Sequence, residues 1–218
     1  MSLTGGSLRG VPSPLPQLWL LPLDGSSSAV LSLQEEQWCA ALPEALQPRY
    51  RSSRSQLRQC VADVLGCGPQ QVALQSPPAQ PPRLNDAQGY VSISHSVDRL
   101  LLAWSPAPIG VDLERSDRPV QAELLAQRFF PPQEVEALMA LPLAQRAGRV
   151  LESWVRKEAA IKWRGSSLAS DLRHWCWNHA QQELIHLEQG WKPDCAVHLR
   201  DGWCCAAVGD GVLSAQWK

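Results

Sequence analysis

The chain carries no strong excess of either charge: 20 Lys and Arg stand against 21 Asp and Glu, for a formal net charge of −1. That balance excludes a protein built to coat nucleic acid or an anionic membrane, both of which require a large positive surplus. Long hydrophobic runs are missing too, none approaching the roughly 20 residues that span a bilayer. The opening stretch MSLTGGSLRGVPSPLPQ has no continuous apolar segment of the kind a secretory signal needs. Seven cysteines, an odd number without a CxxC pair, do not suggest a disulfide framework and fit a reducing, cytoplasmic setting. There is no Walker loop, no GxGxxG and no GxSxG elbow. His174, His179, His186 and His198 lack the spacing of zinc ligands. Phe and Tyr number only two each, whereas Trp numbers 10 and is dispersed along the chain, as core-filling residues are.

What is present suits a folded chain. With 218 residues and 44% hydrophobic side chains there is enough to bury one large core or two smaller ones. Residues 1–16, rich in Gly, Ser and Pro, are expected to form a loose tail. Leu18 to Leu23 read as a short strand. From Ser55 to Leu65, the residues Leu57, Cys60, Val61, Val64 and Leu65 share one helical face, and Gly66 can end that helix. Pro77 to Pro82 must run as loop. Tyr90–Ser96 and Leu100–Trp104 pattern as two strands about a turn, and Pro106 and Pro108 break the chain before a third strand at Ile109–Glu114. Helical signals follow near 121–128, 132–141 and 145–163. The last third is β-like: His174–Trp177 is one segment, and Cys195–Arg200 and Trp203–Val208 flank Asp201-Gly202, a strong hairpin signal. The order strand, helix, hairpin occurs twice, which points to an α+β fold of two similar halves, 17–108 and 109–218.

Charge is unevenly placed within that frame. Before residue 109 there are seven Arg, no Lys and seven acids, and Arg49, Arg51, Arg54 and Arg58 fall within ten residues. Such a cluster is either a solvated surface or an anion site, since guanidinium forks match phosphate oxygens in bidentate fashion. In Ile109-Gly-Val-Asp-Leu-Glu114, strand alternation puts Asp112 and Glu114 on one face, with roughly 7 Å between their Cα atoms. The pattern fits an amphipathic strand with a wet acidic face. It equally fits a pair of hard oxygen ligands for Mg²⁺, which takes one or two carboxylates together with substrate phosphates. In Glu152-Ser-Trp-Val-Arg-Lys-Glu-Ala-Ala-Ile-Lys-Trp-Arg-Gly165, helical spacing aligns Trp154, Glu158, Ile161 and Lys162 on one stripe. An exposed Glu-to-Lys pair would be a minor stabiliser; Trp154 and Ile161 on the same stripe fit that less well and favour a functional role for Glu158 and Lys162. In Ser92-Ile-Ser-His-Ser96, Ser94, His95 and Ser96 sit at a strand end, where hydroxyl and imidazole groups meet a phosphate as readily as they serve structure.

In this order and spacing, Ser94-His95-Ser96, Gly110-Val-Asp-Leu-Glu114 and Trp154-Val-Arg-Lys-Glu-Ala-Ala-Ile-Lys162 resemble the 4′-phosphopantetheinyl transferase superfamily, in particular its surfactin-synthetase-activating type. The resemblance covers roughly residues 18–208. It implies a pseudo-dimeric fold, with two α+β halves from one chain related by a pseudo-two-fold and the active site in the cleft between them, and hence a monomer. The activity implied is transfer of 4′-phosphopantetheine from coenzyme A to a serine of an apo acyl or peptidyl carrier protein, releasing adenosine 3′,5′-bisphosphate. By position, Asp112, Glu114 and Glu158 would bind Mg²⁺ with the coenzyme A diphosphate. Lys162 would neutralise the diphosphate and the leaving group, and Ser94 and His95 would also hold the diphosphate. Arg54 would lie near the adenosine 3′-phosphate, and Glu134 matches a further family acid. Glu158 is in addition placed to accept the serine proton.

This sequence also departs from the family's pattern. Ala79-Gln80-Pro81 stands where members carry Gly-Lys-Pro, so a phosphate-binding lysine is missing, and Arg49 and Arg51 are the residues at hand to replace the family's early lysines. Because the chain is not basic overall, docking of an acidic carrier is expected to rest on an apolar groove with a few Arg. Two other functions use the same residues: a different Mg²⁺-dependent phosphotransferase or hydrolase acting on a nucleotide diphosphate, and a non-catalytic carrier- or coenzyme-binding protein. The second fits poorly with retained, costly charge at Asp112, Glu114, Glu158 and Lys162.

Overall fold

A computed structural model of the protein describes residues 14–23, 30–119 and 121–218. The expected tail lies outside the described residues as far as residue 13. The first part of the chain forms β1 (Gln17–Pro22), α1 (Leu33–Ala40), α2 (Gln47–Leu65), β2 (Leu74–Gln75), β3 (Arg83–Leu84), β4 (Tyr90–Ser96) and β5 (Arg99–Ser105). The remainder forms β6 (Ile109–Arg115), α3 (Ala122–Phe129), α4 (Pro132–Met139), α5 (Leu143–Arg164), α6 (Leu168–Asp171), β7 (Trp175–Asn178) and β8 (Glu183–His186). It ends with β9 (Cys195–Arg200), β10 (Trp203–Gly209) and β11 (Gln216–Trp217). The protein is therefore a mixed α+β structure, as its alternating patterns predict.

Local chemistry accounts for the boundaries. Helix α2 begins eight residues before the Ser55 start that its apolar face suggests. Pro48 sits in its first turn, where no intrahelical N–H is needed. Gly66, at φ 64°, and Gly165, at φ 67°, end α2 and α5 in the left-handed conformation that glycine adopts at no steric cost. Asp201 and Gly202 both have positive φ, as a tight turn between β9 and β10 requires. Helix α1 starts at a capping box in which Ser32 and Glu35 satisfy each other's backbone N–H groups.

Two sheets carry the core. Their strand orders are β11-β1-β5-β4 and β6-β10-β9, and apart from the parallel β1–β11 pair their ladders are antiparallel. Leaving β11 aside, both orders place the first strand of a strand–helix–hairpin run beside its last. On β5, Leu100, Leu102 and Trp104 pack with Leu57 and Val61 of α2. Leu101 and Ala103 turn the other way and meet Val111, Leu113, Cys205 and Ala207 between the sheets. On β10, Cys204, Ala206 and Val208 face Leu151, Val155 and Ala159 of α5. The layers run α2, first sheet, shared core, second sheet, α5. Strands β5 and β10, covered on both faces, are consequently apolar along nearly their whole length.

Two features of this packing create the site. First, β4 lies beside β6, with residue numbers rising together along the seam, and the Val111 N–H donates to Ser92 Oγ at 3.1 Å. Second, α5 presses directly on β6 at Gly110. A Cβ there would stand 2.0 Å from the Ala159 carbonyl oxygen and 2.3 Å from the Trp163 nitrogen, so only glycine permits the approach. The next polar residue along β6, Asp112, is thereby held against the polar stripe of α5.

Candidate active site

The site is built where β4, β6 and the second half of α5 converge. Asp112 is almost fully buried, and its Oδ1 accepts from Ser94 Oγ at 2.7 Å and from Lys162 Nζ at 2.7 Å. One pleat further along, Glu114 accepts from Ser96 Oγ at 3.0 Å and from Arg118. The serines at 94 and 96 thus spend their hydroxyls on the two acids of the neighbouring strand. His95, between them, faces the opposite side of β4, as strand alternation requires. The tripeptide that reads as one phosphate-binding string is divided between two faces.

Glu158 lies one helical turn before Lys162. Its pKa is pushed up from the usual carboxylate range to about 7, chiefly by burial and next by the negative charge of Asp112, with Glu114 adding to it. Lys162 acts in the opposite direction, as does the indole of Trp154, whose N–H has no hydrogen-bond partner of good geometry. Three carboxylates therefore lie together, with Lys162 on Asp112 and Arg118 on Glu114. Among the described residues no three Asp, Glu, His or Cys side chains close into a metal cage, and Lys162 and Arg118 stand beside the acids instead. The donor chemistry nevertheless suits a hard cation: all-oxygen ligands with surplus negative charge, the state an entering Mg²⁺ relieves.

A cationic cavity adjoins this cluster. A space of about 310 Å³ is lined by Arg49, Tyr50, Arg54, Ala79 and His95, and a second of about 420 Å³ shares Arg54, Ala79 and His95 and runs to Gln80, Lys162 and Ser166. Arg54 is buried over the Tyr50 ring at 5.1 Å and donates to the Ser76 carbonyl and the Ser53 hydroxyl, both at 3.4 Å. Burial lowers its pKa, yet a guanidinium keeps its proton. The Nε of Arg49 is shielded from water without a hydrogen-bond partner. Neither arginine has an ion pair among the described residues. His95 sits at the cavity rim, where the crowding protein atoms first, and then Arg49, Arg54 and Lys162, lower its pKa and keep its imidazole neutral. Arg49 and Arg54 in the first cavity and Arg54 and Lys162 in the second give both the positive lining that suits an anion.

Other residues singled out in the sequence take structural roles. Arg58 is a buried partner of Glu35 at 2.8 Å and also binds the Pro69 and Val72 carbonyls. Arg51 points to Glu36 at 2.6 Å, half-exposed and away from the cavities, so Arg49 is the arginine available to replace an early lysine. Glu134 is fully buried and accepts from Lys157 at 2.6 Å and from the Trp177 N–H at 3.1 Å, with no part in the acidic cluster. Missed in the sequence were Ser92 and Arg118, which complete the seam. Ser92 owes its place to the contact of β4 with β6, which no local pattern announces, whereas Arg118 reaches back four residues to Glu114.

Known proteins resemble this chain over the same elements. The family model of the 4′-phosphopantetheinyl transferase superfamily matches residues 108–208, from β6 through most of β10. The protein slr0495 of Synechocystis sp., provisionally named a 4′-phosphopantetheinyl transferase, is 33% identical over 172 residues, covering 73% of this chain and 68% of its own length. The 4′-phosphopantetheinyl transferase HetI of Nostoc sp. is 32% identical over 165 residues, or 70% of this chain and 69% of its own. The transferase Sfp of Bacillus subtilis is 34% identical over 91 residues, 42% of this chain and 39% of its own. With two relatives sharing a third of their residues over more than two thirds of their length, the chain belongs to the 4′-phosphopantetheinyl transferase superfamily.

Proposed function

We propose that this transferase takes coenzyme A into the arginine-lined cavities and delivers 4′-phosphopantetheine to a serine of an apo carrier protein at Asp112, Glu158 and Lys162. The observation that carries the reading is the continuity of two opposite charge environments. Arg49 and Arg54, without carboxylate partners among the described residues, line a cavity that meets at Arg54 and His95 a second one reaching Lys162, which is itself bonded to Asp112. A nucleotide diphosphate has the length and charge to span both. The repeated strand order of the two sheets supports a pseudo-two-fold arrangement of halves 17–108 and 109–218 with this site in the cleft between them, complete within one chain.

Asp112, Glu114 and Glu158 are the residues that would hold Mg²⁺, which when bound supplies charge neutralisation to the diphosphate oxygens. The chain's own groups do the rest. Ser94 and Ser96 fix the orientation of the two strand acids. Lys162, through Nζ, offsets charge on the diphosphate and on the departing adenosine 3′,5′-bisphosphate. Glu158, with a pKa of about 7, is poised to take a proton near neutrality. The carrier serine Oγ forms a bond to the β-phosphorus as the bond from that phosphorus to the bridging oxygen breaks. The bridging oxygen keeps the electron pair, and the serine proton passes to Glu158. Positioning and electrostatics supply most of the acceleration in such a transfer.

Incubation with coenzyme A, Mg²⁺ and a panel of apo acyl and peptidyl carrier proteins tests the reading by intact mass. A gain of one phosphopantetheine on a carrier serine is expected. Release of free nucleotide or phosphate with every carrier unmodified would instead favour a hydrolase acting on the same diphosphate.

A further inference from the structure

Beyond the site itself, the half-buried carboxylate of Asp171 has three donors and no assigned role. Asp171 closes α6, seven residues after the end of α5. Its Oδ2 accepts from Ser166 Oγ at 2.6 Å and from the Trp175 indole N–H at 3.0 Å, and its Oδ1 meets His186 Nε2 at 2.9 Å. The other ring nitrogen of His186 accepts the Gln189 N–H at 3.2 Å, so Nε2 carries the proton and donates to Asp171. Three donors from three places therefore meet on one carboxylate: the turn after α5, β7 and β8. The Asp171 side chain is only 14% exposed, and despite that burial the hydrogen bonds from Ser166, His186 and Trp175 hold its pKa below the usual value.

The position of Ser166 gives this arrangement a consequence. Ser166 and Gly165 line the cavity of about 420 Å³ beside Lys162. The Ser166 N–H closes the helix by binding the Ile161 carbonyl at 3.1 Å, and the Gly165 N–H binds that of Lys162 at 3.2 Å. The turn that Asp171 grips is thus the one that ends the helix carrying Lys162. On its far side the grip is anchored in the core, where Trp175 is fully buried and packs edge-on against Trp163 and His186.

We propose that Asp171 is a positioning residue of this transferase. By holding Ser166 against β7 and β8 it sets the wall of the coenzyme A cavity at the end of α5 and the aim of Lys162. The inference rests on the proposed function, because it requires coenzyme A to occupy that cavity. A neutral amide cannot replace the carboxylate. Asn offers one carbonyl oxygen to three donors and turns an NH₂ group toward at least one of them.

The test compares Asp171→Asn, Ser166→Ala, Ser166→Thr and the double variant Asp171→Asn/Ser166→Ala, all in the full chain, by steady-state kinetics with coenzyme A and a carrier varied separately. Asp171→Asn and Ser166→Ala are each expected to raise KM for coenzyme A about fivefold while KM for the carrier stays put. Ser166→Thr, which keeps the hydroxyl, should restore the wild-type value. The double variant should be no worse than Asp171→Asn alone, because both changes cut the same link. Additive losses would show that Ser166 touches coenzyme A independently of Asp171 and would overturn the inference. A fall in melting temperature with unchanged KM for coenzyme A would overturn it as well, leaving Asp171 a purely structural group. If Asp171→Asn does not fold, the Ser166 pair alone decides. A wild-type protein that modifies no carrier at all would instead refute the parent reading, a separate outcome from an active wild type with kinetically silent variants.

Discussion

Charge in the interior of this protein is handled in two ways. In the structural regions, acids and bases are matched one to one: Glu35 with Arg58 at 2.8 Å, and Glu134 with Lys157 at 2.6 Å, both pairs shielded from water. Around the candidate site the matching fails by design. Asp112, Glu114 and Glu158 lie together with only Lys162 and, at the outer edge, Arg118 to offset them, while Arg49 and Arg54 in the adjoining cavity have no carboxylate partner among the described residues. A buried pair satisfied by its own partner needs nothing else. A buried surplus is costly unless a ligand of opposite charge completes it, and here surplus acid and surplus base stand side by side, the complement of a metal-bound diphosphate.

The comparison breaks most visibly if one member of each class is neutralised. Lys157→Met leaves Glu134 buried and alone and should cost about 3–5 kcal/mol of stability, measured by denaturant unfolding. Asp112→Asn should leave the melting temperature near wild type and cut transfer about 10²–10³-fold, the size of effect seen when a group stabilising transition-state charge is removed. A stable Lys157→Met protein, or an active Asp112→Asn one, would erase the distinction.

A smaller effect separates the unpaired from the paired arginines. Arg54→Ala should raise KM for coenzyme A about tenfold, and less for 3′-dephospho-coenzyme A, because a charge-assisted contact to the 3′-phosphate is lost only with the former. Equal effects on both substrates would move Arg54 away from that phosphate.

The raised pKa of Glu158 predicts a pH signature in the ligand-free protein. The folded state keeps a proton on Glu158 up to about 7, whereas the unfolded chain releases it near the ordinary glutamate value of 4.5. The native state therefore binds more protons between those limits, and the contribution of Glu158 to stability falls as pH rises through that window. Glu158→Gln should match wild type near pH 5 and exceed it at pH 8 by thermal unfolding. Parallel stability curves would mean that Glu158 is not crowded by the other acids.

The smallest change concerns Arg51. Its pair with Glu36 is exposed by 38% and 43% on the two sides, so Arg51→Ala should alter stability by about 0.5 kcal/mol or less and leave KM for coenzyme A unchanged.

How far the sequence reaches follows from the range of the interactions involved. Strands β4, β5 and β6 and helix α5 are written in local periodicity, and so is the shared face of Asp112 and Glu114. The hairpin at Asp201-Gly202 is fixed by two residues with positive φ. Less legible is α1, eight residues whose apolar patterning is weak and which is held by a capping box and by Glu35 reaching Arg58, 23 residues away. The start of α2 was hidden because Pro48, a helix breaker in the interior, is harmless in the first turn. The division of Ser94 and Ser96 from His95, the pairing of Glu134 with Lys157 and the donors around Asp171 all depend on contacts across elements distant in sequence. No short window contains them. Gly110 is a residue whose identity does report such a contact, and its meaning is plain only once α5 is seen lying on it.

In the proposed function the surplus acids and the surplus bases are two parts of one binding site for coenzyme A and Mg²⁺. Calorimetric titration of coenzyme A into the wild-type protein and into Asp112→Asn, each with Mg²⁺ and with a chelator, addresses it directly. Mg²⁺ is expected to tighten binding to the wild type about tenfold or more and to do nothing for Asp112→Asn, while residual binding through the arginine cavity persists in both. Equal affinity in the wild type with and without Mg²⁺, or an undiminished Mg²⁺ effect in Asp112→Asn, would contradict it.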